Sequence, residues 1–344
     1  MARNAALCSV VAHAPCRVDL AGGTVDIWPL YLFHQGAVTV NFAVNILTRC
    51  QVRRLPGRQI VLKSLDTGRE DRFPSFDALC RARRFRHALA AHLVRFFAPE
   101  GGLSVETHSE SPAGAGISGS SALMIATSAA LARYTGRRLS REEIRVLAQN
   151  VEAQLIRVPT GCQDYYPALY GGVSAIHLEP DGIHREAITV DPEALDRRFV
   201  LAYTGAPRQS GINNWEVFKA HIAGDRRVLR NFDEIVTIAR AMDDALASAD
   251  WDEVARMLRA EWKLRKSNAP GISTPLIEKL MAAAGRQGAR AAKVCGAGGG
   301  GCVVFLVEED ARERVTEAIR RNGGTVLPAT VARDGLTVTV GRRS

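Results

Sequence analysis

The sequence predicts a globular protein of mixed strands and helices, built as two domains or as one large one. Three observations carry this. The chain has 344 residues, where one domain takes roughly 100–200. Its hydrophobic fraction of 47% and charged fraction of 24% are those of a chain that buries a core. β-Branched runs between turn residues alternate with stretches whose apolar residues recur at helical spacing. Together they exclude disorder, collagen and a disulfide-stapled miniprotein. The mean hydropathy is −0.05. No apolar run nears the ~18–20 residues that span a bilayer, so no membrane association is expected. Met1-Ala2-Arg3-Asn4-Ala5 leads straight into a strand-like run without a long apolar region or cleavage site, so no signal peptide is expected.

In chain order, Ser9–Val11 and Val18–Leu20 read as strands around a His-Ala-Pro-Cys segment. Ala37–Ile46 and Ile60–Lys63 are β-branched strand-like runs, Arg84–Phe97 has helical periodicity, and Leu103–Thr107 is another strand. A Gly/Ser-rich loop, Ser111–Ser121, feeds a small-residue apolar run, Ala122–Tyr134, that stops at Gly136. Ser140 with Glu143 forms a capping box for a helix whose stripe is Ile144, Leu147, Val151 and Leu155. Val158–Gly172 is irregular, and Pro180-Asp181-Gly182 turns between two strand-like runs. A strand at Phe199–Tyr203 precedes helices at about Phe232–Ala249 and Trp251–Arg265; Thr274-Pro275 opens another, threonine capping and proline in the first helical position. Cys302–Val307, Val326–Ala332 and Leu336–Val340 read as strands. The cluster Pro180, Asp181, Gly182, Asp191 and Pro192 marks a seam, which divides the chain into residues 1–190 and 191–344.

The net charge is +9, and 39 of the 45 basic residues are arginine. The densest patch, Arg81–Arg86, is short, and aromatic residues make up only 6%. Nucleic-acid binding, which needs a basic stripe with aromatic platforms, is therefore not expected. Seven cysteines are scattered with no C-x-x-C. That argues for a reducing cytoplasm and against a zinc site or a disulfide framework.

Four stretches carry chemistry. The loop from Pro112 to Ala122 holds Gly114, Gly116 and Gly119, which let backbone N–H groups approach an anion. The helix behind it points its positive end at the same spot, and Ser118, Ser120 and Ser121 can donate to phosphate or ligate a cation. It is neither a Walker A loop nor a dinucleotide fingerprint; its plain reading is a flexible loop capping a helix. Lys293-Val-Cys-Gly-Ala-Gly-Gly-Gly-Gly-Cys302 is the second stretch. So many glycines imply close approach of a ligand or of another backbone. Third, Glu152 on the flank of an apolar helix face and Asp164 in a loop could serve as a magnesium ligand and as a proton acceptor; alone, Glu152 also reads as a solvated helix residue and Asp164 as an ordinary loop turn. Fourth, Arg17, Asp19, Thr24 and Asp26 surround Gly22-Gly23, a turn suited to sugar hydroxyls and a phosphate, or a plain β-turn with an ion pair. His13 and His34 lack ligand spacing and read as packing or surface residues.

In this order the segments resemble the GHMP kinase superfamily. The first motif resembles Ala14 to Asp26, the second Pro112 to Leu123 and the third Lys293 to Gly301, with Gly161-Cys-Gln-Asp164 and Tyr170-Gly171-Gly172 similar to the segment of the catalytic aspartate. The resemblance runs from about residue 9 to residue 305. It implies a two-domain α+β fold, with an N-terminal domain like ribosomal protein S5 domain 2 and a ferredoxin-like C-terminal domain. ATP would lie between them, contacted by Pro112, Gly114, Gly116, Ser118, Gly119, Ser120, Ser121 and Ala122. Asp164 would be the base and Arg17 would stabilise developing charge. Mg²⁺ would be held by Ser120 and Glu152. The acceptor would meet Asp19, Gly22, Gly23, Thr24 and Asp26 from the first motif and Gly296, Ala297, Gly298 and Gly299 from the third. Trp262-Lys263-x-x-Lys266 and Pro270-Gly-Ile-Ser-Thr-Pro resemble the heptose-phosphate and fucose kinases. The implied reaction is phosphorylation of a sugar or sugar-phosphate hydroxyl, the anomeric one, as in D-glycero-D-manno-heptose 7-phosphate 1-kinases. Arg208 and Lys266 lie in segments the family places near the substrate and would suit a phosphorylated sugar. A free monosaccharide such as fucose or galactose, a mevalonate-type alcohol, and a non-catalytic sugar- and ATP-binding regulator are the alternatives. The implied protein is a cytoplasmic monomer or homodimer. One departure is Ser118, where this branch usually shows glycine; it leaves open which serine meets the metal.

Overall fold

The protein is described by a computed structural model, which covers residues 7–206 and 212–342. The first half runs β1 (Leu7–Ala21), β2 (Val38–Leu55), β3 (Ile60–Ser64), β4 (Glu70–Phe73), α1 (Phe76–Arg81), α2 (Ala88–Phe97), β5 (Gly102–Ser109), α3 (Gly119–Tyr134), α4 (Arg141–Ile156), α5 (Tyr165–Tyr170), β6 (Val173–Glu179) and β7 (Gly182–Ala187). The second runs α6 (Pro192–Arg198), β8 (Phe199–Tyr203), α7 (Ile212–Ile222), α8 (Arg226–Ala247), α9 (Trp251–Asn268), α10 (Pro275–Gly285), β9 (Ala289–Val294), β10 (Cys302–Val307), α11 (Arg312–Arg321), β11 (Thr325–Leu327) and β12 (Thr337–Arg342).

Two sheets organise these elements. The larger has the order β12-β1-β2-β5-β3-β4, with β6 and β7 extending from the first half of β2. β1 and β2 are antiparallel, with Ala12 opposite Cys50 and Asp19 opposite Asn41; β2 bulges opposite Pro15 and Cys16, and β1 bulges between Asp19 and Ala21. Such bulges re-aim side chains, and Arg17 and Asp19 lie between these two. The smaller sheet has the order β11-β8-β10-β9, all antiparallel. β12 departs from the expected division at residue 190: it pairs with β1, Val10 opposite Val340, so residues 337–342 complete the first sheet. The Pro180-Asp181-Gly182 turn is a hairpin inside that sheet, and Asp191 caps α6 with Pro192 behind it.

α3 is buried on nearly every side, as its small apolar residues require. The capping box of α4 is formed: Ser140 Oγ accepts from the Glu143 N–H at 3.2 Å, and Glu143 accepts from the Ser140 N–H at 2.7 Å. Its stripe buries Ile144 and Val151, with Leu147 and Leu155 packed at the margin. β2 runs nine residues past its expected end at Ile46. The strand expected at Val326–Ala332 shrinks to Thr325–Leu327, with Val331 making an isolated bridge to Val44. α8 and α9 pack against each other, both also touch β1, and α9 lies on β9. They are the scaffold between the two sheets.

Candidate active site

The three glycine segments, far apart in sequence, meet at one side chain. β1 carries Arg17 inward, where its guanidinium is almost wholly buried. Its Nη1 donates to Gly116 O in the second motif at 3.0 Å and to Cys295 O in the third. Its Nε and Nη2 donate to Asp164 Oδ1 at 2.9 and 2.7 Å. The third motif also braces the second directly, the Cys302 N–H donating to Ala115 O at 2.6 Å. Gly298 accounts for part of its glycine content: with φ of +80°, a Cβ there would stand 2.4 Å from Ile272 O.

A cavity of about 550 Å³ opens over the loop before α3. Pro112, Gly114, Gly116, Ser118, Gly119, Ser120 and Ser121 line it, as do Glu152 and Asp164. Ala122 does not; it is fully buried in the core beneath the loop. Ser118 has φ of +62° and makes no capping bond, and its buried Oγ has no partner. Glu152 Oε2 accepts from Ser121 Oγ at 2.8 Å and from the Tyr165 hydroxyl at 2.7 Å. Burial pushes its carboxyl up, and the hydroxyl donors around it work the other way. No group of three or more His, Cys, Asp or Glu side chains among the described residues could hold a metal. A cation beside Ser120 and Glu152 would therefore have to share phosphate oxygens and water, the usual arrangement for Mg²⁺.

A second cavity of about 60 Å³ adjoins the first, and Asp164, Thr160 and Asn214 line both. Of the expected acceptor residues, Asp19, Gly23, Thr24, Asp26, Gly296 and Ala297 line it. Gly22, Gly298 and Gly299 stand behind the wall: a Cβ on Gly22 would meet Val38 O at 2.2 Å, and the Gly299 N–H donates to Ile272 O at 2.9 Å. Asp26 is buried and accepts from the Gln163 N–H at 2.9 Å. Gly161 makes room for it, since a Cβ there would lie 2.0 Å from Asp26 Oδ2. Burial, with the charges of Asp164 and Asp19 nearby, pushes the Asp26 carboxyl up to about 7, against the pull of the Gln163 N–H. Asp19 goes the other way. Burial would raise its carboxyl, but Lys293, Arg265 and Arg17 together hold it below the usual range.

Lys293 Nζ donates to Asp19 Oδ2 at 2.7 Å and lies 3.4 Å from Glu261 Oε1, all three groups being buried. Arg265 pairs with Glu261 one turn away and donates to Gly23 O at 3.0 Å and Thr24 Oγ1 at 3.2 Å. The expected phosphate cation Lys266 is elsewhere, half-exposed, over the Trp262 ring and 3.4 Å from Glu278; its neighbour Arg265 faces the cavity instead. Arg208 lies outside the described residues. Sequence reasoning also passed over Gln163, Glu261 and Asn214. The four-residue spacing of Glu261 and Arg265 was a readable signal of a pair on one helix face. Nothing in the sequence marks Asn214.

A glycine- and serine-lined cavity and a small polar one, meeting at an arginine–aspartate pair, have the chemistry of a small-molecule phosphotransferase. Comparison with known proteins makes the class specific. The model of the GHMP kinases N terminal domain matches residues 82–172, and that of the GHMP kinases C terminal matches residues 242–325. The chain is 31% identical over 264 residues to mevalonate kinase of Thermococcus gammatolerans, covering 72% of this chain and 73% of that one. It is 26% identical over 339 residues to D-glycero-alpha-D-manno-heptose 7-phosphate kinase of Campylobacter jejuni subsp. jejuni, covering 95% and 98%. Its fold matches the crystal structure of a D-glycero-D-manno-heptose 1-phosphate kinase from Bacteroides thetaiotaomicron with a TM-score of 0.75 at 23% identity, over 96% and 98% of the two chains. The chain belongs to the GHMP kinase family. It is a phosphotransferase with a hydroxyl acceptor, two-domain and α+β in fold.

Proposed function

We propose that the enzyme transfers the γ-phosphoryl of ATP, with Mg²⁺, to the anomeric hydroxyl of a sugar phosphate of the D-glycero-D-manno-heptose 7-phosphate kind. The observation that carries this is the Arg17–Asp164 pair at the boundary of the two cavities. Both Arg17 donors bind Asp164 Oδ1; Oδ2 is the atom we assign to the acceptor proton. Arg17 then stands beside the oxygen on which charge develops. The loop amides and the start of α3 hold the nucleotide phosphates. The donors present fit Mg²⁺: Ser120 and the carboxylate of Glu152, with Oε1 the oxygen we assign to the cation. Held there, Mg²⁺ would offset the negative charge of the nucleotide phosphates. Asp26, Asp19 and Thr24 hold acceptor hydroxyls.

The sugar phosphate is drawn from the Campylobacter jejuni relative, matched over nearly the whole of both chains. A second reading, a free monosaccharide, is favoured by one observation: among the described residues, both cations that line the small cavity are already paired, Arg17 with Asp164 and Arg265 with Glu261, and Lys293 behind them is paired with Asp19. We place the reaction in the cytoplasm and divide the chain at residue 190, with residues 337–342 returning to the first unit. The test is ADP release with D-glycero-D-manno-heptose 7-phosphate, fucose, galactose and mevalonate, at low and high salt. The heptose phosphate is expected to give the highest kcat/KM and to lose it as salt rises. A free sugar used as well, without salt dependence, decides for the second reading; turnover of mevalonate alone rejects both.

A further inference from the structure

We propose that Asn214 is a specificity-determining residue for the acceptor: its side-chain amide binds the hydroxyl next to the reacting one, and the buried contact of His221 with His34 holds it in place. This rests on the reading of the small cavity as a sugar site.

Among the described residues, Asp164, Thr160 and Asn214 line both cavities, and only Asn214 comes from the second half of the chain. It sits in the first turn of α7, half-buried. Thr24 Oγ1 donates to its Oδ1 at 3.4 Å, a long contact that a sugar hydroxyl can replace at little cost. An amide offers donors and acceptors together, which suits a hydroxyl that must both give and accept.

The position of Asn214 is set from the other end of the helix. Asn214, Val217 and His221 follow one another at spacings of three and four, so they share a face. Val217 and His221 on that face are buried. His221 Nε2 lies 2.7 Å from His34 Nε2, and His34 Nδ1 lies 2.6 Å from Asp233 Oδ1 on α8. His34 Nδ1 faces the Asp233 carboxylate and donates to it, and a single hydrogen bond joins the two Nε2 atoms. The buried Nδ1 of His221 has no partner. Burial, and then the neighbouring His34, hold His221 down near 4, so it remains neutral at ordinary assay pH. His34 closes the segment that begins with Thr24 and Asp26. The contact therefore ties together the two segments that approach the acceptor from opposite sides.

The experiment uses the full chain with D-glycero-D-manno-heptose 7-phosphate and its 2-deoxy analogue. Asn214→Ala is expected to raise KM for the heptose phosphate about tenfold, the worth of one hydrogen bond to a well-placed group. On the 2-deoxy analogue it is expected to change nothing, and KM for ATP stays within about twofold. His221→Leu is expected to reproduce the rise in acceptor KM, to add nothing in the Asn214→Ala background, and to be rescued by His221→Gln, which can still hydrogen-bond His34. Thermal melts verify that each variant is folded. Equal losses on both sugars, or an unchanged KM with Asn214→Ala, overturn the role of Asn214 while the sugar-kinase reading stands. An additive loss in the double variant overturns the role of His221. Wild-type enzyme inactive on both heptose phosphates and on fucose and galactose removes the sugar site itself, and the inference with it.

Discussion

Asp164 and Asp26 line one cavity and have opposite surroundings. Asp164 is bound twice by Arg17 and partly open to solvent; Asp26 is almost wholly buried. Asp164→Asn is expected to lower kcat by ~10²–10⁴ while the affinity for ATP, measured by calorimetry, stays nearly unchanged. Retention of more than about a tenth of wild-type kcat removes it as the base. For Asp26 the readout is stability. Unfolded, its carboxyl ionises near ~3.9; folded, it holds its proton to about 7. Between those values folding takes up a proton, so its contribution is full at low pH, falls as pH rises through that window, and is level above. Asp26→Asn is therefore expected to melt progressively higher relative to wild type from pH 4 to pH 7, and a difference in Tm that does not vary with pH contradicts the burial argument. Arg17, Asp19, Asp26 and Asp164 were legible because each sits within a few residues of glycines that announce a special backbone. Arg265 was not: adjacent residues on a helix point about 100° apart, and sequence alone did not say whether Lys266 or Arg265 turns inward.

The elements show the same division. α4 was readable from its capping box and stripe, and α3 from its small apolar residues, because local bonding and burial agree there. The second half of β2 was hidden by arginines. Arg49 and Arg53 both donate to Gln51 Oε1, at 2.6 and 2.7 Å, so the polar face of this strand bonds along itself and the alternation is hard to see in composition. What α3 and α4 build together is testable. Ser120→Ala and Glu152→Gln are each expected to raise the Mg²⁺ concentration for half-maximal turnover several-fold, as loss of an oxygen ligand requires. If titration shows neither change, Ser121, already bonded to Glu152, or Ser118 becomes the better ligand.

At the scale of the whole molecule, the cluster of Asp19, Lys293, Glu261 and Arg265 joins β1, β9 and α9 with all four side chains buried. Removing one partner of a buried ion pair costs roughly 3–5 kcal/mol because the other charge is stranded. Lys293→Met is expected to lower the unfolding free energy by that much, read as a lower urea midpoint with an unchanged slope, and Asp19→Asn added to it to recover part of the loss. A midpoint near wild type for Lys293→Met alone contradicts the pairing. The role of Lys293 is not legible in the sequence, since its partners lie 274 and 32 positions away. The pairing of β12 with β1 has a consequence for biosynthesis. β1 leaves the ribosome long before β12, so its outer edge stays bare until residues 337–342 have been made. Every nascent chain therefore carries the edge of its longest-waiting strand exposed while all three glycine motifs are already translated. A message cut short after residue 335 would encode every residue of the cleft named above and still yield a protein that pairs with its neighbours instead of with itself.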